Sequence, residues 1–118
     1  MKSDILTRKE VEQLVQRFYE RVRNDKLLAP VFSHVDWPNH LPVMYNFWSS
    51  ILLGDMSYQG TPFPKHKGLA IGAQHFSRWL ELFMETVDTE FSGPIAEEAK
   101  TRANTIAVVF QSKMGLLT

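Results

Sequence analysis

Residues 58–69 have the sequence YQGTPFPKHKGL and separate two stretches with helical patterns from two others. Two prolines and two glycines within these twelve residues exclude a regular helix through the centre of the segment. Near its end lies His66, which a stiff backbone would hold just before the next helical pattern. A histidine in that position can be the single axial ligand of a metal cofactor, or a half-exposed loop residue between two lysines. The segment alone does not distinguish these interpretations.

The composition of the 118-residue chain predicts one soluble domain. Thirteen basic and thirteen acidic residues balance, which argues against a nucleic-acid partner or a membrane surface held by charge. The absence of cysteine excludes disulfides, zinc–thiolate sites and iron–sulfur clusters. No apolar run approaches the roughly 20 residues that span a bilayer, and no signal peptide is visible, so we expect a cytoplasmic protein. Eight Phe, three Trp and three Tyr suit a rigid core or a pocket for a flat apolar ligand.

The first helix is predicted to begin after Thr7, the N-cap, and to end near residue 24. Glu10 completes a capping box with Thr7, and Leu6 and Val11 can form a hydrophobic staple across the helix start. Apolar residues recur along one face at helical spacing, namely Val11, Leu14, Val15, Phe18 and Val22. Tyr19 lies on the flank of this stripe. Its ring can join the core or touch solvent, and a buried hydroxyl would need a polar partner.

A short irregular connection and a second helix are predicted next. Residues 26–35 contain a proline that disfavours a long helix, so we expect one helical turn that brings Phe32 inward. Asp36 is the next N-cap, and Pro42 should distort the first turns of the helix that follows. His40 begins a stripe on one helix face that continues with Met44, Phe47, Trp48 and Ile51. A histidine in this place is either a satisfied core or pocket-mouth residue or a functional one.

Two further helices are predicted after the loop. The third begins near Ala73 and buries an apolar stripe of Phe76, Trp79, Leu80, Phe83 and Val87. Gly93-Pro94 marks a break, since Pro94 suits the first position of a helix. The fourth helix has a face that another helix can approach closely, formed by Ala96, Ala99, Ala103, Ile106, Ala107, Phe110 and Met114. The prediction is an all-α fold and a single domain over residues 1–118, with a long irregular segment between the second and third helices.

Several kinds of catalytic site are excluded by their missing motifs. The sequence has no Glu-x-x-His pair for a di-metal centre, no Gly-x-Ser-x-Gly and no glycine-rich phosphate loop. What remains is a helical bundle with one histidine in a rigid loop and another at the head of an apolar stripe. Such an arrangement can hold a flat iron porphyrin between two helices and leave one face open for a gas.

Short motifs that support this interpretation run along most of the chain. They are Phe18-Tyr19-Glu20-Arg21-Val22-Arg23, Pro30-Val31-Phe32, Trp37 with His40, Asn46-Phe47-Trp48, Leu52-Leu53-Gly54, Tyr58-Gln59-Gly60, Lys65-His66, and Trp79-Leu80 with Leu82-Phe83. In order and approximate spacing, from about residue 5 to residue 114, the sequence resembles a truncated haemoglobin of group III. The resemblance implies a truncated globin fold, with a two-on-two helical sandwich around haem.

The resemblance also implies roles for individual residues. The cofactor would be haem b (iron protoporphyrin IX), with His66 as the proximal iron ligand. Tyr19, His40 and Trp79 match distal residues, and His40 would either hydrogen-bond the ligand or gate the pocket. Phe32 matches the aromatic residue that packs against the haem. The other cofactor-binding residues expected are Met44, Phe47, Trp48 and Ile51, by helical spacing, and Tyr58, which would reach a haem propionate.

The function implied by the resemblance is reversible binding of dioxygen, nitric oxide or carbon monoxide at ferrous haem. Two donors, Tyr19 and Trp79, imply tight oxygen binding, because a charge-assisted hydrogen bond contributes roughly 1.5–3 kcal/mol. The alternative is a haem enzyme that detoxifies nitric oxide or peroxide, which would need a separate reductase because the chain has no flavin or nicotinamide motif. A cofactor-free helical interaction module is disfavoured. We expect a monomer without nucleic-acid or membrane partners.

Overall fold

The structure is a computed structural model that describes residues 2–33, 35–56 and 72–113. Within these residues there is no strand, and the chain forms four helices, α1 (Arg8–Arg23), α2 (Trp37–Leu53), α3 (Ala73–Glu90) and α4 (Pro94–Lys113). The all-α prediction is therefore confirmed. Among the described helices, none combines the length and the apolar character that crossing a bilayer requires.

Several sequence predictions fall on residues outside the described ranges. They concern the loop at residues 58–69 with His66 and Tyr58, and Met114 at the end of the fourth helix. These predictions remain expectations.

The core is formed by the helix faces that the sequence predicts. Helix α1 packs against both α2 and α3, and α3 packs against α4. The whole predicted stripe of α1 is buried, and the buried alanines of α4 allow close approach of α3. A second, smaller apolar cluster contains Phe76, Ala107 and Phe110, and Trp79 and Ile106 pack against both clusters.

The start of α1 is capped by the predicted residues. The Glu10 carboxylate accepts hydrogen bonds from the Thr7 backbone N–H at 2.9 Å and from the Thr7 hydroxyl at 2.8 Å. The prediction that Leu6 forms the hydrophobic staple is wrong, because Leu6 is 63% exposed whereas Ile5 is fully buried. Ile5 is buried because the segment before α1 runs along the junction between α3 and α4, where the Ser92 N–H donates to the Ser3 carbonyl at 3.0 Å.

Asp4, in the same segment, caps the start of α4. Its carboxylate accepts hydrogen bonds from the backbone N–H groups of Ile95 at 3.0 Å and Ala96 at 2.8 Å. A glycine is required at position 93, where φ is +140° and a Cβ would lie 2.5 Å from Asp4 Cγ. Burial alone would raise the pKa of Asp4, but the hydrogen bonds from Ile95, Ile5 and Ala96 outweigh it and lower the pKa.

The connection between α1 and α2 is a series of tight turns anchored by Asp25. The Asp25 carboxylate accepts hydrogen bonds from the N–H groups of Leu27 and Leu28, both at 3.1 Å, and from Arg78 Nε of α3 at 2.7 Å. The turns bring Phe32 to a half-buried position against the core, as predicted. Helix α2 then begins after Asp36 and continues through Pro42 to Leu53.

Candidate functional site

Four residues predicted for the site lie together although they come from four different elements: the distal residues Tyr19, His40 and Trp79, and Phe32, which was predicted to pack against the haem. The Tyr19 ring centroid of α1 lies 6.4 Å from that of Phe32 in the connection and 5.9 Å from that of His40 in α2. The Trp79 side chain of α3 lies near the Tyr19 hydroxyl and lowers its pKa, as a hydrogen-bond donor does. The packing of α1 between α2 and α3 thus brings these side chains around one phenol group.

The Tyr19 hydroxyl has unusual surroundings. The side chain is buried, and burial raises the pKa of Tyr19, although the neighbouring Trp79 side chain lowers it. An indole N–H can donate but cannot accept, so Trp79 can act on the Tyr19 oxygen only as a donor. In the described part of the chain, the Tyr19 hydroxyl donates no hydrogen bond. Since an unpaired buried donor costs free energy, this proton is suited to a ligand.

Trp37, the first residue of α2, contacts three of these residues, and sequence reasoning gave it no role. Its ring centroid lies 5.0 Å from that of Tyr19, 5.6 Å from that of His40 and 6.3 Å from that of Phe32. A sequence signal existed, because Trp37 precedes His40 by three residues and so shares its helix face. The aromatic residue at the start of α2 therefore belongs to the candidate site.

The remaining predicted residues of α2 divide into two groups. Met44 and Trp48 are buried in the main core, where the Trp48 ring stacks on Phe83 with centroids 4.8 Å apart. Phe47 and Ile51 are half-buried at the edge of the core, as His40 is at the head of the stripe. Met44 and Trp48 thus pack α2 into the core, whereas Phe47 and Ile51 leave part of their apolar surface exposed at its edge.

Ion pairing fixes the segment of α3 that carries Trp79. Arg78, the preceding residue, pairs with Asp25, whose side chain is only 8% exposed. Burial would raise the pKa of Asp25, but Arg78 and the Leu28 and Leu27 N–H groups lower it, so the carboxylate is charged at neutral pH. The pair therefore ties the connection after α1 to α3, next to the indole that reaches Tyr19.

Comparison with known proteins identifies the family. The sequence model of the bacterial-like globins matches residues 4–112, almost the whole chain.

The chain belongs to the bacterial-like globin family.

The similarity of this globin to one truncated haemoglobin extends over almost the whole chain, and the similarity to another extends over about half of it. It is 33% identical to the group 3 truncated hemoglobin ctb of Campylobacter jejuni over an alignment of 121 residues, which covers 97% of this chain and 95% of the relative. It is 36% identical over 67 residues to the group 1 truncated hemoglobin GlbN of Nostoc commune, which covers 56% of this chain and 57% of that protein.

The structure of the globin shows the same relationship. The crystal structure of the group III truncated hemoglobin from Campylobacter jejuni superposes with a TM-score of 0.86, covering 96% of this chain and 94% of that one at 33% identity. The predicted truncated globin fold and the resemblance to group III truncated haemoglobins are confirmed.

Membership of the family implies haem, and the described residues of the globin fit that group. The half-buried side chains of Phe32, Phe47 and Ile51 offer apolar surface for a flat ring. The Tyr19 hydroxyl is a buried donor whose proton lacks an acceptor among the described residues. The predicted iron ligand, His66, and the predicted propionate partner, Tyr58, lie outside the described residues.

Proposed function

We propose that this globin holds haem b through His66 and reversibly binds dioxygen and other diatomic gases, such as carbon monoxide and nitric oxide, on the opposite face. When bound, the haem iron supplies an exchangeable position for a small gas molecule. The contribution of the protein is the polarity, shape and access of the distal side, where Tyr19, His40 and Trp79 are the predicted residues.

The observation that carries the proposal is the buried Tyr19 hydroxyl with the Trp79 indole beside it. The indole N–H can only donate, and it lowers the pKa of the phenol, so the phenol proton is left for a ligand with partial negative charge. A donor beside the Tyr19 oxygen polarises the phenol, so Trp79 strengthens Tyr19 as a donor. In this proposal Tyr19 contacts the gas directly and Trp79 acts through Tyr19.

Tyr19 is in the protonation state that donation requires. A phenol with the ordinary pKa of about 10 is already protonated at neutral pH, and burial raises the pKa of Tyr19 further. The rings of Phe32, Trp37 and His40 lie around the Tyr19 ring, and the residue is only 4% exposed. A hydrogen bond from a protonated phenol in such a low-dielectric environment is stronger than the same bond in water.

The experiment that tests the proposal is an absorption spectrum of the purified protein. Spectra are recorded in the ferric form, after reduction with dithionite, and after addition of carbon monoxide. We expect a strong Soret band that shifts when carbon monoxide is added, because a ferrous haem with an exchangeable position binds it. A protein that shows no haem absorbance, even after addition of hemin, would overturn the proposal.

A further inference from the structure

Arg23 and Trp37 form a contact that the proposed ligand chemistry does not use. Arg23 is the last residue of α1, Trp37 is the first residue of α2, and the Arg23 guanidinium carbon lies 5.1 Å from the centroid of the Trp37 ring. This geometry is that of a cation–π interaction. It joins the two helix ends across the connection that carries Phe32.

Arg23 differs from its neighbours on α1 in what it pairs with. Arg17, on the same helix, lies 3.7 Å from carboxylate oxygens of both Glu20 and Glu90. For Arg23, by contrast, no carboxylate of residues 2–33, 35–56 or 72–113 lies within ion-pair distance, and its described partner is the Trp37 ring. The exposed cation is thus placed over an aromatic ring rather than beside an acid.

The other contacts of the Trp37 ring are with residues of the site. Its centroid lies 5.0 Å from the Tyr19 ring at a tilt of 51°, and 5.6 Å from the His40 ring at 76°. The Tyr19 and His40 rings also contact each other, with centroids 5.9 Å apart. A movement of Trp37 would therefore remove a packing contact from both Tyr19 and His40.

We propose that Trp37 is a positioning residue that sets the orientation of Tyr19 and His40, and that Arg23 holds Trp37 in place. The inference rests on the proposed function, because the orientation of the Tyr19 hydroxyl affects a bound gas only if Tyr19 faces that gas. Release of the Trp37 ring gives the Tyr19 phenol more than one orientation, which weakens its hydrogen bond to the ligand. It also loosens His40, which widens access to the pocket.

The test compares variants of Arg23 in the haem-loaded protein. Arg23→Gln removes the cation, Arg23→Lys keeps a cation able to lie over the ring, and Arg17→Gln is the control on the same helix. We expect Arg23→Gln to raise the oxygen dissociation rate about two- to fivefold, the size expected of an exposed cation–π contact. Arg23→Lys should restore most of the wild-type rate, and Arg17→Gln should leave it unchanged.

A second measurement distinguishes positioning from a structural effect. The C–O stretching band of the carbon-monoxide form reports the polarity that the ligand experiences, and Arg23→Gln should broaden or split it because Tyr19 samples several orientations. Trp37→Phe should change the same band more strongly, since the smaller ring leaves a gap beside Tyr19. Since Arg23 is exposed and the cation–π contact is weak, Arg23→Gln should lower the unfolding temperature by no more than a few degrees.

The outcomes separate this inference from the function on which it rests. If the wild-type protein binds carbon monoxide but the Arg23→Gln and Trp37→Phe variants keep the wild-type rates and band, the positioning role is refuted and the proposed function stands. If the wild-type protein binds no haem, both fall together. Faster dissociation in Arg23→Gln and Arg17→Gln alike would assign the effect to surface charge and would also overturn the inference.

Discussion

Asp4 and Tyr19 each tie together parts of the chain that are far apart in sequence, but their hydrogen bonding differs. The Asp4 carboxylate accepts three backbone N–H groups, from Ile5, Ile95 and Ala96, and so joins the segment before α1 to the start of α4. The Tyr19 hydroxyl lies beside the Trp79 indole, which lowers its pKa, and so links α1 to α3. It donates no hydrogen bond in the part of the chain that the structure describes.

The difference shows how a structural polar group can be told from a functional one. A carboxylate whose hydrogen bonds are all made inside the protein stabilises the fold and has nothing to offer a ligand. A buried hydroxyl with an unused proton costs stability, and that cost is recovered when a ligand accepts the proton. The pKa values follow the same division, because that of Asp4 is lowered and that of Tyr19 is raised.

The largest expected effect is on haem binding, which concerns the functional site and not the structural role of Asp4. His66→Ala should abolish stable haem retention, because it removes the predicted protein–iron bond. The haem content is measured as the ratio of Soret to protein absorbance after gel filtration. His75→Ala is the matched control, since His75 Nδ1 accepts the Gly72 N–H at 2.8 Å at the start of α3, and that variant should keep its haem. Undiminished haem with an unchanged spectrum in His66→Ala would remove the proximal assignment.

The next largest effect is on the oxygen dissociation rate, which should depend on the Tyr19 hydroxyl and not on the Asp4 carboxylate. Tyr19→Phe should speed oxygen dissociation about tenfold or more, because it removes a charge-assisted hydrogen bond of roughly 1.5–3 kcal/mol. Stopped-flow measurement of the dissociation rate tests this expectation. Tyr45→Phe is the control, because the Tyr45 hydroxyl accepts from Gln16 at an exposed site, at 2.8 Å. If both variants release oxygen at the wild-type rate, the Tyr19 hydroxyl does not face the ligand.

Loss of the Asp4 carboxylate should affect stability and leave ligand binding unchanged. Asp4→Ala should lower the free energy of unfolding by about 2 kcal/mol, since it removes the cap of α4 and leaves its N–H groups unpaired. Asp4→Asn should retain most of the stability, because asparagine is a comparable cap. Urea unfolding of the three proteins measures the difference. An Asp4→Ala variant as stable as the wild type would show that water or a neighbouring group replaces this cap at little cost.

The smallest expected effect is on the pH dependence of stability, to which Asp4 contributes in acid and Tyr19 in alkali. The folded-state pKa of Asp4 lies below its unfolded value, so its contribution is present above about pH 4 and is lost as the pH falls further. The folded-state pKa of Tyr19 lies above its unfolded value, so its contribution is lost as the pH rises above about 10.

Unfolding free energies measured across the pH range would show this division. The stability of Asp4→Asn should approach that of the wild type in acid, and Tyr19→Phe should lose less stability at alkaline pH than the wild type does. A difference between Asp4→Asn and wild type that stays constant from neutral pH into acid would contradict the assignment for Asp4.

Much of the fold was predictable because its signals are local. The cap at Thr7, the N-cap at Asp36 and the break before Pro94 each depend on residues within one helical turn, and the structure has helix boundaries at all three. The cap of α4 was missed, because its acceptor, Asp4, lies 91 residues away from Ile95 in sequence. The same segment explains the error at Leu6, since the docking of Asp4 against α4 buries Ile5 instead.

The sequence by itself determined the helices, their buried faces and the family. Helix periodicity and capping depend on residues close in sequence, and the family motifs are recognised from their order along the chain. Through the family resemblance the sequence also placed Tyr19, Phe32, His40 and Trp79 among the ten residues expected to bind the cofactor. Only the tertiary structure decided that Trp79 lies beside the Tyr19 hydroxyl and that Trp37 lies among the site residues. Hydrogen bonds and ring contacts between helices depend on how the helices pack, and that geometry is fixed by the whole core rather than by any one segment.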